Sequence, residues 1–448
     1  MQTFLPEAKT SRPAKLQLGL ILAVILITVF EGAVRKWIMP NATNVLLLAR
    51  DLAALLVVAR VAYSGGFRKM PFATECLIVW SLAVAMWGAW QIIVLQGPVV
   101  LFFIGLRFWL LYLWLALAMG CSLTEGETRI VVKVMIAVAL LMMPLVALQH
   151  SLPPSSVLNL QPDTEEDKIF RLSGDIVRVS GTFTFVMGYA CFVAAVTPFA
   201  LGHVWKGRPF YESAWLKALV FAAICVETLF SGSRASITFF GFLLAAQLLI
   251  DVVCARSARD AVSSLLKVAL VVVALFVMVY LFSDAVTATQ DRFVSASESE
   301  SFTDRVAAMV FGEPQMRDAI TFLGSGLGAG TNAGAVLLTG EQGFELAETE
   351  QARVILEMGA MGFAWVLIKC VLIAWGMRKS LGKLRSGLET LPLLVWITIA
   401  YGLLSWPISG QLSANAFGYI LLGLGFACLE PAAGSPLPAF GYMKRGAK

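Results

Sequence analysis

Long apolar stretches, separated by short polar segments, run through the whole sequence. A helix needs roughly 20 mostly apolar residues to cross the hydrocarbon core of a bilayer. About twelve stretches approach this length, and we predict that each forms a transmembrane helix. Their bounds are 16–34, 43–62, 72–95, 98–119, 129–149, 181–202, 214–231, 235–254, 264–283, 353–375, 390–408 and 413–430. Because lipid cannot pair with backbone polar groups, the expected fold is an all-α polytopic membrane protein.

The composition indicates the same class of protein. Of the 448 residues, 58% are hydrophobic and 14% are charged, whereas soluble proteins carry about a quarter charged residues. The seven cysteines include no Cys-x-x-Cys pair, and the chain has two histidines, so neither a disulfide framework nor a zinc site is indicated. We predict no metal and no cofactor.

The positions of Lys and Arg predict the orientation. They are concentrated in alternate short loops and at both termini, and loops of this kind face the cytoplasm. We therefore predict a multi-pass protein of the bacterial inner membrane with both termini cytoplasmic. The net charge of +5 is mostly this topology signal and does not indicate nucleic-acid binding. The basic loop residues include Arg68, Lys69, Arg129, Lys206, Arg208, Arg256, Arg259, Arg378, Lys379, Lys383 and Arg385.

Two long segments fall on the opposite, outer side. The first outer loop covers 150–180, and a large outer loop covers 284–352, between predicted helices 9 and 10. With the spans they make a single membrane domain, 1–448. Loops of this length in a compact protein are usually functional or disordered. In the large loop, apolar residues recur at near-helical spacing over 301–322, which predicts an amphipathic helix.

A glycine-rich turn follows this predicted helix. It contains Gly326, Gly328 and Gly330 and ends at Asn332. Glycine lets a backbone approach a ligand closely, so these four residues are candidate contacts to a sugar or phosphate. The alternative is a tightly turned hinge with no ligand.

Arginines at the predicted outer boundary are the main candidates for chemistry. They run against the positive-inside bias, and ionisable residues at such depths often mark functional sites. A guanidinium binds phosphate oxygens bidentately, so a lipid pyrophosphate is a natural ligand. The alternative is that these side chains form structural ion pairs or extend towards the interface. The candidates are Arg35, Arg50, Arg178, Arg234, Arg305, Arg317 and Arg353.

An acidic run precedes the predicted span 353–375. Within it, Glu348 and Glu350 lie close to Arg353 in sequence. A carboxylate beside an arginine cluster can take a proton from a sugar hydroxyl, so both are candidate catalytic residues. The alternative is a solvated helix face.

The motifs resemble those of the O-antigen ligase and O-antigen polymerase superfamily. The chain has a Ser-Arg signature entering a long span, and a large outer loop later carries arginines, a Gly-x-Gly turn and a Glu-x-Gly element. Three further segments resemble the exopolysaccharide-polymerase branch. The Ser-Arg signature is Leu229–Ser236, and the loop elements are Asp304-Arg305 with Arg317, Gly326–Asn332 and Glu350–Gly359. The three segments that resemble the exopolysaccharide-polymerase branch are Phe30–Trp37, Arg50-Asp51 and Arg178–Phe183.

The resemblance implies a GT-C-like membrane glycosyltransferase that needs no metal. Its donor would be an undecaprenyl-pyrophosphate-linked oligosaccharide, and its acceptor a growing polysaccharide. By match, Arg234 and either Arg305 or Arg317 would hold the pyrophosphate. Ligases of this family carry a histidine in the large loop; this loop has none, which favours a polymerase, and Glu348 or Glu350 falls in that neighbourhood. A chain-length regulator is a further candidate partner.

Two alternative functions remain open at the level of sequence. One is an O-antigen-type ligase that transfers the glycan to lipid A core or another acceptor. The other is a transporter or flippase for a charged lipid or solute, in which Arg107, Glu227 and Lys369 would line a path through the membrane. Many transporters contain inverted repeats and interrupted spans, and the sequence shows neither pattern.

Overall fold

The computed structural model describes residues 12–161, 171–173, 176–255, 257–283, 285–287, 289, 290, 294, 301–340, 346–387 and 389–430. The described part of the chain is mostly helical. The α-helices are α1 (Arg12–Ala33), α2 (Thr43–Tyr63), α3 (Pro71–Leu95), α4 (Val99–Leu106), α5 (Tyr112–Ser122), α6 (Glu125–Ser151), α7 (Val186–Leu201), α8 (Ala214–Phe230), α9 (Arg234–Val253), α10 (Ala258–Leu281), α11 (Phe302–Phe311), α12 (Asn332–Thr339), α13 (Glu350–Met358), α14 (Ala360–Gly387), α15 (Leu391–Ser405) and α16 (Leu412–Leu429).

Short irregular elements interrupt or connect these helices. One π-helical turn, Val34–Ile38, extends α1, and another, Arg107–Leu111, joins α4 to α5. A 3₁₀ helix at Pro314–Ala319 follows α11. Two antiparallel hairpins lie in loops: β1 (Arg171–Ser173) pairs with β2 (Ile176–Val177), and β3 (Val204–Trp205) pairs with β4 (Arg208–Pro209).

The described residues include eight helices long and apolar enough to cross a membrane, so the chain is an all-α membrane protein. Each of the twelve predicted spans overlaps one or two helices, but four of the matching helices are too short or too charged to meet this standard. Three have 15 to 17 residues, and α2 carries Arg50, Asp51 and Arg60 within 21 residues. The count of twelve stays a prediction. The eight are Lys15–Ile38, Pro71–Leu95, Val99–Ser122, Glu125–Ser151, Arg234–Val253, Ala258–Leu281, Ala360–Gly387 and Leu412–Leu429.

The last helix, α16, lies at the centre of the bundle. It packs against α5, α7 and α15, and its described side chains are almost all buried. Small residues make this packing close: a Cβ on Gly423 would lie 2.8 Å from Met119, and one on Gly425 would lie 2.3 Å from Ile399. Close backbone approach through small residues is typical of helices that associate inside a membrane.

Loops predicted to share one side do meet at one end of the bundle. Lys69, between α2 and α3, donates to the carbonyl oxygen of Cys121 at the end of α5 (2.9 Å). Arg129, at the start of α6, donates to the carbonyl oxygen of Arg208 (3.2 Å), and Lys206 pairs with Glu125 (3.5 Å). We call this the basic end. The compartment that it faces stays a prediction.

The predicted bounds of the large loop and the tenth span differ from the structure. The apolar pattern predicted one helix over 301–322, whereas α11 ends at Phe311 and a 3₁₀ helix follows. The pattern also placed the start of the tenth span at 353. Instead α13 ends at Met358, because Gly359 has φ +56°, and the long span begins at Ala360.

Candidate functional site

The glycine-rich turn is fastened to the bundle by Glu357 of α13. One carboxylate oxygen accepts from Trp109 Nε1 and from the backbone N–H of Gly328, both at 2.8 Å. The other accepts from the backbone N–H of Gly330 at 3.1 Å. Glu357 is 0% exposed. Three N–H groups donate to this one buried side chain, and buried donors are rarely left without an acceptor, so Glu357 fixes the turn.

A second clamp comes from Gln91 of α3. Its amide nitrogen donates to the carbonyl oxygens of Leu323 (2.6 Å) and Glu357 (2.9 Å), and its amide oxygen accepts from the N–H of Leu327 (2.9 Å). A side chain inside an apolar helix thus satisfies the backbone on both sides of the turn. Satisfying buried backbone groups in this way is a general requirement of packed interiors.

The glycines are needed for this packing. Gly328 has φ +94°, and a Cβ there would lie 2.3 Å from the carbonyl oxygen of Leu101. A Cβ on Gly324, φ +80°, would lie 2.4 Å from the carbonyl oxygen of Glu357. Gly326, with φ +113°, is different, because its Cβ would have only Leu95 within 4 Å. The described turn is tightly packed, and contact with a sugar stays a prediction.

The N-terminus of α13 is held by an ion pair and by the segment after α15. Glu350 accepts from the N–H of Ser409 (3.1 Å) and from its hydroxyl (2.9 Å), and Lys369 Nζ lies 3.8 Å from its carboxylate. Both members of the ion pair are nearly inaccessible. Glu350 is therefore engaged structurally and does not face a substrate in this conformation. This leaves Glu348, which is exposed, as the candidate base.

Arg353 lies one turn further along α13 and is also buried. Its guanidinium donates to the carbonyl oxygen of Ala347 (2.9 Å), and a Cβ on Gly410 would lie 2.2 Å from Nη1. Its aliphatic part packs under Gly330. The guanidinium therefore holds backbone segments together, although the sequence predicted that it would bind an anion.

A second group of predicted residues meets at the same end, around the end of α1. Lys36 donates to the hydroxyl of Ser180 (2.6 Å) and to the carbonyl oxygen of Gly181 (3.2 Å). A Cβ on Gly32 would lie 2.4 Å from the carbonyl oxygen of Thr182. Two of the segments that carry the family resemblance are thus in contact. Arg35 and Arg178 lie in this region and are half-buried.

Arg50 belongs to a buried network of charges between α1, α2 and the α4–α5 span. It donates to Glu31 (2.9 Å) and is 0% exposed. Its neighbour Asp51 accepts from both Arg107 and the hydroxyl of Tyr112. Opposite charges that pair in this way avoid the cost of isolated charges in an apolar interior. The network therefore gives Arg50 a structural role and leaves it no surface for a pyrophosphate.

The π-helical turn at Arg107–Leu111 connects this network to Glu357, which holds the glycine-rich turn. It directs Arg107 to Asp51 while Trp109 reaches Glu357. Single π-turns are frequent at functional positions. The residues proposed to line a transport path do not share one environment, because Arg107 and Lys369 have separate carboxylate partners and Glu227 lies in α8.

Arg234 has different surroundings from these arginines. It is the first residue of α9 and is half-buried. Its guanidinium forms neither a hydrogen bond nor an ion pair with any described residue. The preceding turn is ordered: Ser231 accepts from the N–H of Ser233, and the Ser233 hydroxyl caps the helix by accepting from the N–H of Ser236. A helix N-terminus carries partial positive charge, so this guanidinium adds to a field that favours anions.

The remaining candidate residues lie in α11, in the 3₁₀ helix that follows it and at the start of α12. Arg305 lies in α11 and Arg317 in the following 3₁₀ helix, but their side chains lie outside the described part of the chain. Asn332 is the exposed first residue of α12, and its N–H donates to the carbonyl oxygen of Gly410 (3.1 Å). Through this bond the turn also contacts the segment after α15. Among the described residues, no group of three acidic, His or Cys side chains could hold a metal.

Sequence reasoning missed Gln91, Trp109 and Ser409. Gln91 gave a usable signal, since it is the one amide side chain in the predicted span 72–95. Trp109 and Ser409 gave none, because aromatic and hydroxyl residues are common in membrane helices and their ends. Their roles depend on contacts with residues far along the chain.

Comparison with models of protein families finds no match to this chain. Comparison with curated proteins finds no significant match either.

Proposed function

We propose that this protein is a polysaccharide polymerase that joins saccharide units carried on undecaprenyl pyrophosphate at the outer face of the bacterial inner membrane. The motifs in Leu229–Ser236 and in the large outer loop support this function by their resemblance to the polymerase superfamily. The end of the bundle opposite the basic end, where those motifs gather, would be the periplasmic end.

The observation that carries the proposal is the state of Arg234. Most buried arginines at this end have structural partners, whereas Arg234 is half-buried at a helix N-terminus and has no partner among the described residues. A guanidinium in that position suits a doubly charged lipid phosphate, which it can bind bidentately. Serine residues of the same turn keep the backbone rigid around it.

The packing of the large loop supports the proposal in a second way. Chemistry on a membrane-bound donor requires that the catalytic segments hold a fixed geometry. Here Glu357 ties α13 to the glycine-rich turn, Gln91 ties that turn to α3, and Glu350 ties α13 to the segment after α15. The result is an ordered surface beside α15.

The reaction follows from these parts. A hydroxyl oxygen of the acceptor glycan attacks the anomeric carbon of the donor, and the bond between that carbon and the pyrophosphate oxygen breaks. The proton of the hydroxyl passes to a carboxylate, for which we propose Glu348. The departing lipid pyrophosphate keeps the bonding electron pair, and Arg234 stabilises its negative charge.

The test is lipid-linked glycan profiling in cells that carry Arg234→Ala as the sole copy. We expect polymer to fall at least about tenfold while single lipid-linked units accumulate, because a lost guanidinium removes charge stabilisation of the leaving group. Arg234→Lys should retain part of the activity, since it keeps the charge but loses the bidentate geometry.

The matched control is Arg68→Ala, which removes an exposed arginine at the basic end. All variants are first checked for membrane insertion and amount. Normal polymer in Arg234→Ala would contradict the site assignment. Normal polymer after deletion of the whole gene would contradict the polymerase function itself.

A further inference from the structure

An open cavity of about 610 Å³ lies at the basic end of the bundle, at the end of α14 that is remote from the candidate site. The polar residues that line it are Arg378, Lys379, Lys383, Arg385, Ser386 and Glu430. Except for Glu430, which follows α16, they come from the last three turns of α14. The proposed glycosyl transfer uses none of them.

The length of α14 sets the depth of this cavity in the membrane. The helix has 28 residues, about 42 Å at 1.5 Å per residue, which exceeds the roughly 30 Å of hydrocarbon. At the other end, Ala360 donates its N–H to the carbonyl oxygen of Phe322, just before the glycine-rich turn, so we infer that a hydrocarbon layer starting there ends before the last turns of α14. At 1.5 Å per residue, Arg378 lies about 27 Å from Ala360, at the edge of such a layer, and Lys383 and Arg385 lie beyond it, at about 35 and 38 Å.

The charge in the cavity is unbalanced. Four cations face one carboxylate, that of Glu430, which lies 3.5 Å from Lys379. These two side chains are 46% and 65% exposed, so solvent screens their attraction. The side chains of Arg378, Lys383 and Arg385 form neither a hydrogen bond nor an ion pair with any described residue.

Other basic residues of this end show the contrast. Arg129 donates to Glu125 and to the carbonyl oxygen of Arg208, and Lys267 pairs with Asp251 at 3.2 Å. These basic side chains are paired with acidic side chains or backbone carbonyl groups of the protein itself. In the cavity, three cations on one helix end instead converge on an open space at head-group depth.

We propose that this cavity binds the phosphate group of an anionic membrane lipid. Arginine binds phosphate oxygens bidentately, and clusters of Lys and Arg immediately beyond a transmembrane helix attract anionic lipids. The apolar surface of α14 continues from the cavity into the membrane through exposed Leu367 and Val371, so acyl chains have a surface to follow. A phosphate dissolved in water would use the same cations but not this surface.

The experiment is native mass spectrometry of the full-length protein in detergent, titrated with phosphatidylglycerol or with phosphatidylcholine. We expect retention of phosphatidylglycerol but not of phosphatidylcholine. Each neutralised cation should weaken binding by about fivefold, so Arg378→Gln/Lys383→Gln/Arg385→Gln should lose about a hundredfold. Arg68→Gln, at the same end but outside the cavity, should bind like the unmodified protein.

Two additions separate binding from misfolding and from a soluble ligand. Glu430→Gln should bind phosphatidylglycerol severalfold more tightly, because it removes the opposing carboxylate, and a damaged fold cannot produce a gain. Inorganic phosphate at millimolar concentration should not displace the lipid. Displacement by phosphate, equal retention of both lipids, or an unchanged affinity in the triple variant would each overturn the proposal.

Discussion

The clamp formed by Glu357 can be tested by replacing it with glutamine, which keeps its shape. One carboxylate oxygen accepts two N–H groups and the other accepts one, from Gly330. The glutamine oxygen can keep the first two bonds, but the amide nitrogen would then face the N–H of Gly330. One hydrogen bond is lost, and the N–H of Gly330 and the new amide N–H₂ are both left buried without an acceptor, which costs at least about 1–3 kcal/mol.

The cost should appear as local opening of the turn. A loss of about 1–3 kcal/mol corresponds to about a 5- to 150-fold decrease in hydrogen-exchange protection when exchange occurs by local opening. The assay is hydrogen exchange with mass spectrometry on the purified protein, read on peptides that cover 324–334. Peptides from the second half of α16, where Gly423 packs against Met119 of α5, serve as an internal reference.

The control variant is Asp318→Asn, which changes an exposed acid of the same loop. It should leave protection unchanged. Equal protection in Glu357→Gln and in the unmodified protein would refute the argument that this carboxylate holds the turn. A uniform loss across all peptides would also refute it, since the predicted effect is local.

Three further predictions concern packing, and each is measured as thermal unfolding in one detergent. Glu350→Gln alone should lower the stability of the protein by about 3–5 kcal/mol, because it leaves Lys369 buried without a counter-charge. Adding Lys369→Met should restore most of the lost stability, and no restoration would contradict the ion pair. Gly376→Ala should destabilise the protein because the new Cβ would lie 1.9 Å from an indole ring of α15. Gly382→Ala on the same helix should leave the stability unchanged, since nothing lies within 4 Å of its Cβ. Gly359→Ala should destabilise the protein, because residue 359 has φ +56° and alanine adopts that conformation less readily than glycine. An unchanged melting temperature would contradict the break between α13 and α14.

Local patterns predicted the helices well because apolar periodicity is a property of neighbouring residues. The tight turn between predicted spans seven and eight is confirmed, with α8 ending at Phe230 and α9 beginning at Arg234. The predicted start of the tenth span at 353 was wrong because the apolar pattern continues through α13. The break falls at Gly359, where φ is +56°, and its position is fixed by bonds from Gln91 to the carbonyl oxygen of Glu357 and from the N–H of Ala360 to Phe322, which no local pattern reports.

The same distinction applies to the candidate site. The sequence predicted that outer-boundary charges would matter, but it could not separate charges that pair from charges that remain open. Arg50 and Glu350 find partners 19 and 59 residues away, and those partners remove them from the surface. Arg234 resembles them in sequence context and differs from them only through the arrangement of neighbouring helices. Pairing of this kind is a tertiary property.

The two clamps on the glycine-rich turn also constrain the order of biosynthesis. Gln91 and Trp109 contact residues 232 and 248 positions later, and Asn415 donates to the carbonyl oxygen of Phe108, 307 positions earlier. A nascent chain therefore inserts α3 to α5 long before their polar partners exist. Until the ribosome has made the segment from Leu323 to Glu357, the amide of Gln91 must be satisfied by water, lipid head groups or a membrane chaperone. Chains truncated before α13 should accordingly be targets of membrane quality control.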